Sequence, residues 1–135
     1  MDYQEYVRAK QQAEQLVQNG KLKEAVDAFY KLILTDISEI DKASLCVALA
    51  NVYDKQGNTD EALAWYNKGI AAEQAYYRFE VAEKKAQYLS VLGRSSDGVK
   101  IYEELVKQPF VSEAEKERMR QMTKTLLTKS MGRWK

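Results

Sequence analysis

The side chains able to do chemistry are few in kind. The chain has 135 residues, with one cysteine, Cys46, and no histidine. Without histidine it lacks the commonest general base near neutral pH and the commonest transition-metal ligand. A lone cysteine with no imidazole beside it is a poor nucleophile, and Cys46 reads instead as a small buried apolar residue. Neither a GxxxxGK[ST] nor a GxGxxG string occurs, so both common phosphate-cradling glycine loops are missing. Paired carboxylates or a lysine are the remaining routes to catalysis, and nothing in the spacing positions them. The expectation is a non-catalytic protein with no metal and no cofactor.

Binding chemistry is left. Lysine and arginine number 21 and the acids 20, for a net charge of +1, so there is no global pull toward nucleic acid or anionic lipid. The cations are unevenly placed, however. After Glu117 come Arg118, Arg120, Lys124, Lys129, Arg133 and Lys135, with no acid among them. A basic end of this kind suits an acidic partner, a nucleic-acid backbone or an anionic membrane. Acids at the start of a helix and cations at its end also suit the helix dipole, and that is the reading adopted. Met119, Met122 and Met131 read as packing for a terminal helix, with an adaptable partner surface as the alternative. Tyr76, Tyr77 and Phe79 place three bulky rings within four residues. They cannot all face one core, so one or two should be exposed; the cluster reads as filling a widened joint, with an interface role as the alternative.

These residues need elements to carry them. The chain is 45% hydrophobic, with one proline and six glycines, and its commonest residues are good helix formers. The fold class expected is all-α. No apolar run approaches the roughly 18 residues of a membrane span, and the start MDYQEYVRAK has no signal-like apolar core. The expected location is the cytoplasm, and Met1 suggests an intact N-terminus. Apolar periodicity predicts a first helix from Asp2 to Gln18 on Tyr6, Ala9, Ala13, Leu16 and Val17, ended by Asn19-Gly20. A second runs from Leu22 to Leu34 on Ala25, Phe29, Leu32 and Ile33. The link after it offers Asp36 and Ser38 as helix caps. Pro109 closes a later helical stretch, and Ser112 with Glu115 forms a capping-box pattern for a last helix over 112–130. Its apolar stripe is Ala114, Met119, Met122, Leu126 and Leu127.

The strongest stretch is 44–73. Leu49, Ala50 and Tyr53 mark one helix, Gly57 and Asn58 a turn, and Ala62, Tyr66 and Gly69 a second helix. This spacing resembles the tetratricopeptide repeat, a helix–turn–helix unit of about 34 residues that stacks on copies of itself. Partial copies flank it, giving repeats at 6–39, 43–76 and 79–112, the third of which matches at Ala82, Ala86, Leu89, Gly93, Tyr102 and Leu105. The glycines Gly20, Gly57 and Gly93 lie 37 and 36 residues apart, so the extra residues should fall between repeats. Cys46 stands where the family often has tryptophan, Gln74 where it has proline, Gly98 where it has alanine, and Gln12 and Lys85 where it is apolar. The resemblance implies one domain over 1–135, an α-α superhelix of three hairpins closed by the 112–130 helix.

It also implies a site. In this family the first helices of successive repeats line a concave groove that takes a peptide. The positions carried over are Val7, Lys10, Glu14 and Val17; Ser44, Val47, Asn51 and Asp54; and Glu80, Glu83, Lys84 and Gln87. Asparagine suits such a lining because it both donates to and accepts from a ligand backbone. A chaperone-tail carboxylate clamp is rejected: Lys10 and Lys84 occupy two of its positions, but Glu14, Ala48 and Glu80 stand where asparagines and a lysine belong. Trp65 is expected on the convex side. The expected function is a protein–protein interaction module, adaptor or scaffold, binding an unidentified protein or peptide segment. The alternatives are a self-assembling homo-oligomeric scaffold and a regulator contacting nucleic acid or anionic membrane through the basic end.

Overall fold

The computed structural model describes residues 2–132. Seven α-helices follow in sequence: α1 Tyr3–Gln18, α2 Leu22–Ile33, α3 Glu39–Lys55, α4 Thr59–Gln74, α5 Glu80–Val91, α6 Ser95–Leu105 and α7 Glu113–Gly132. No strand occurs among the described residues. Each helix packs on its neighbours in the chain: α1 on α2, α2 on α3, α3 on α4, and then α5 on α6 and α6 on α7. This is an array of helical hairpins. The chain divides into two compact units, one ending at Tyr76 with α1–α4 and one beginning at Tyr77 with α5–α7.

Three hairpins close in the same way. Gly20, Gly57 and Gly93 have φ of +77°, +77° and +82°, a left-handed conformation that glycine enters without steric cost. At each turn two backbone bonds recapture the last carbonyls of the first helix. Gly20 N–H donates to the Val17 carbonyl (3.0 Å) and Lys21 N–H to that of Leu16 (2.9 Å). Gly57 and Asn58 repeat this on Asp54 and Tyr53 (both 2.9 Å), and Gly93 and Arg94 on Ser90 and Leu89 (3.0 and 2.7 Å). This is the Schellman closure, three times over.

Within the hairpins the register is constant. Ala13, Ala50 and Ala86 are all 0% exposed, each seven residues before its turn glycine. Ala25 and Ala62 are 0% exposed and Gly98 is buried, each five after it. Phe29, Tyr66 and Tyr102 follow four further on and fill the core. The extra residues therefore fall between hairpins, as expected. Gly98 in place of alanine has a packing reason: a Cβ there would stand 2.7 Å from the Ala86 carbonyl oxygen, so α6 crosses α5 closer than alanine permits.

Polar starts fit the helices. Asp2 accepts the Glu5 N–H (2.8 Å), Ser38 that of Asp41 (3.1 Å), Asn58 that of Glu61 (3.2 Å) and Ser112 that of Glu115 (3.2 Å). Several expectations are corrected. Asp2 caps the first helix rather than opening it, and α2 stops at Ile33, one residue early. Ser38, not Asp36, caps α3. Helix α4 ends at Gln74 without a proline, and α6 ends at Leu105, four residues ahead of Pro109. In α7, Met119 and Leu126 are buried, but Ala114 and Leu127 face solvent.

Two glycine substitutions separate backbone strain from packing. Gly57→Ala has open space for its Cβ and should lose about 1 kcal/mol through its positive φ alone. Gly98→Ala should cost about 1–3 kcal/mol, because two backbones must part. Urea midpoints of both variants check this order.

Candidate functional site

In the first unit, α1 and α3 share a face. The Lys10 ammonium on α1 donates to the Ser44 hydroxyl on α3 at 3.2 Å. Tyr6, one turn before Lys10, is buried, and its hydroxyl finds no hydrogen-bond partner. Burial first, and then the charge of Asp41 on α3, push this phenol up to about 12. Val7, Lys10, Val17 and Val47 are half-buried, whereas Glu14, Ser44, Asn51 and Asp54 are exposed. The Asn51 carbonyl oxygen accepts the Tyr66 hydroxyl at 3.3 Å, which orients the amide from behind. A depression of about 310 Å³ lies along Tyr3, Val7 and Gln11 of α1. Of the predicted residues of α1 and α3, Lys10 and Ser44 are in direct contact, while the others stand on their own helices as half-buried valines and exposed polar groups.

In the second unit the predicted α5 residues behave differently. Glu83 is tied to α7 by both of its oxygens, to the Arg118 guanidinium at 2.7 and 2.9 Å. Glu115 holds the same guanidinium at 2.6 and 3.0 Å. Two carboxylates push the Arg118 titration further up, through the Glu83 bond first. Glu80 pairs with Arg78 at 2.7 Å. Lys84 and Gln87 are exposed. Beneath lies Tyr102, fully buried, whose hydroxyl makes no well-formed hydrogen bond although Glu83 and Gln87 stand near it. Burial, and next the Glu83 charge, raise that phenol above its ordinary value, while Gln87 and Arg118 oppose them. Glu80, Glu83, Glu115 and both arginines border an open depression of about 530 Å³ with Tyr77 and Phe79. Glu83 is therefore a fastening of α7 to α5 as much as a surface residue.

Other sequence expectations meet the structure unevenly. Trp65, expected on the convex surface, is 7% exposed. Its ring meets that of Tyr30 edge-on at 6.0 Å, and the Lys68 ammonium sits 4.0 Å from its centroid. Of the cluster read as filling a joint with one or two rings exposed, Tyr76 and Tyr77 are 53% and 70% exposed and Phe79 is half-buried. Tyr77 takes φ +56°, a conformation uncommon for a bulky residue, and its ring rests against Phe110 at 5.6 Å. Sequence reading also left Arg118 among the dipole-favoured cations and missed its bond to Glu83. Their 35-residue separation, close to one repeat, was the available signal. Arg120 pairs with Glu117 at 3.4 Å. Lys129, Met131, Arg133 and Lys135 lie outside the residues whose side chains are described.

Cys46 is buried, and burial pushes its thiol up to about 11. Lys85 is half-buried, and burial holds its ammonium below the ordinary value, with Arg94 adding to this and Asp97 opposing. Among the described residues, no three Cys, Asp or Glu side chains group to hold a metal ion. No described helix is long and apolar enough to cross a membrane.

Residues 11–94 match a protein family described as a domain of unknown function, DUF6340. The match spans more than half of the chain, from the middle of α1 to the turn after α5, and the chain belongs to that family. No curated protein matches it.

Two measurements follow from these environments. A thiol raised from 9.0 to about 11 carries roughly 100-fold less thiolate at pH 8. Cys46 should be alkylated at least that much more slowly in the folded chain than in urea. The sign is that of a raised group: its contribution to stability is intact below pH 9 and falls away between pH 9 and 11. Arg118→Gln should lower stability by about 1 kcal/mol at low salt, by less in 1 M salt, as read by denaturant titration at both ionic strengths.

Proposed function

We propose that this chain is a tetratricopeptide-like array that acts as a protein–protein interaction module, an adaptor or scaffold working in the cytoplasm. The face shared by α1 and α3 captures an extended or helical segment of another protein. One observation carries this reading: the Lys10–Ser44 contact joins residues 34 apart on corresponding helices of two successive hairpins. A repeat-to-repeat surface of this kind presents Val7 and Val47 for apolar contact, Asn51 for a ligand backbone, and Glu14 and Lys10 for charge. The hairpins behind it are already packed, so a ligand orders little of the protein on binding.

The test is selection of random peptides, displayed on phage, against the whole chain. Enriched peptides should bind in the micromolar range. They should lose tenfold or more, equivalent to about 1.4 kcal/mol, on Asn51→Ala or Val47→Glu. They should keep their affinity on Lys100→Ala, a change at a solvent-facing lysine of α6. Peptides indifferent to both α3 substitutions would remove the function from this face. Glu83→Ala is unsuited as a binding probe, because it also unfastens Arg118.

A further inference from the structure

The first hairpin has a second surface, on its outer side, that the second hairpin explains. An open depression of about 270 Å³ runs between α1 and α2, lined by Ala9, Gln12, Ala13, Leu16, Ala28 and Leu32. Thirty-seven residues on, the same face of the second hairpin is made by Cys46, Leu49, Ala50, Tyr53, Trp65 and Gly69. There it is covered. Leu49 and Ala50 are 0% exposed, and Cys46 and Trp65 are 5% and 7% exposed. The cover is a helix: α2 packs on α3, and its Tyr30 ring closes edge-on over Trp65 of α4. In the first hairpin no described residue plays that part. Its floor, Ala13 and Leu32, is buried, while Gln12 is exposed and Ala9, Leu16 and Ala28 are half-buried.

We propose that this outer face docks an amphipathic helix of a protein partner, seated as α2 is seated on the second hairpin. The chain itself supplies the template, because the same hairpin geometry already receives a helix one repeat on. The chemistry of the occupant follows. A helix satisfies its own backbone, which an apolar groove requires. Ala28 stands where the second hairpin has Trp65, so the groove has room for an aromatic ring supplied by the partner. Lys31, at the rim and exposed, favours an acidic residue beside that ring. The Thr35 hydroxyl already donates to the Leu32 carbonyl at 2.6 Å, so the groove end leaves no hydroxyl donor to satisfy. This surface is separate from the α1/α3 face and stands or falls without it.

The probe is α2 itself, as a labelled peptide of residues 21–35 held helical by a staple across Lys23 and Asp27, both solvent-exposed in the hairpin. Fluorescence anisotropy against the whole chain should show saturable one-to-one binding. Gln12→Leu, which installs the residue found at position 49, should tighten it at least about threefold. Ala28→Glu should abolish it while leaving the circular dichroism and thermal midpoint of the chain unchanged. Peptides that use the α1/α3 face should not compete. Absence of saturable binding, or binding indifferent to both substitutions, would overturn the proposal. So would a dimer in sedimentation that Ala28→Glu dissolves, because a second copy would then be the occupant.

Discussion

The distance at which two helices of a hairpin can cross governs the rest of this structure. In each hairpin an alanine of the first helix is fully buried and a small residue of the second helix is buried five positions past the turn. At the third crossing even a methyl group is too large, and Gly98 lies against the Ala86 carbonyl. Close crossing brings the aromatic of the second helix, Phe29, Tyr66 or Tyr102, into the core. A turn that reverses the chain in two residues is then needed, which the left-handed glycines provide. Crossing distance, turn and core aromatic are one device used three times.

Because the device is local, most of the fold was legible in the sequence. The turn glycines, the small residues and the aromatics keep constant offsets, and the extra residues fall in the links, as the uneven glycine spacing implied. Interactions between elements were less legible. Nothing about Trp65 in isolation shows that Tyr30 of another helix covers it, because the contact depends on how α2 meets the second hairpin. Arg118 looked like one of several cations near a helix end, yet it carries two carboxylates, one of them from α5. That one or two rings of the Tyr76–Phe79 cluster must be exposed was legible from their crowding, but that Tyr76 and Tyr77 are the exposed ones was not. The candidate site was legible as positions on helices. Which of those positions are already engaged was not.

The charged residues divide accordingly. On α5 and α7 they pair into a network that fastens the last helix of its unit. On α1 and α3 they remain mostly exposed beside half-buried valines. The first arrangement ties one helix to another, whereas the pairs on α3 are local, as between Lys42 and Glu39 at 3.3 Å.

The central claim is that corresponding helices of successive hairpins lie side by side in the first unit. Paramagnetic broadening in solution tests it most directly, with a nitroxide at Lys10→Cys in a Cys46→Ala background. Amide signals around Ser44 and Val47 on α3 should broaden strongly, and those of Asp60 and Glu61 at the start of α4 much less. Equal broadening of both groups, or sparing of α3, would contradict the shared face and the binding surface built on it.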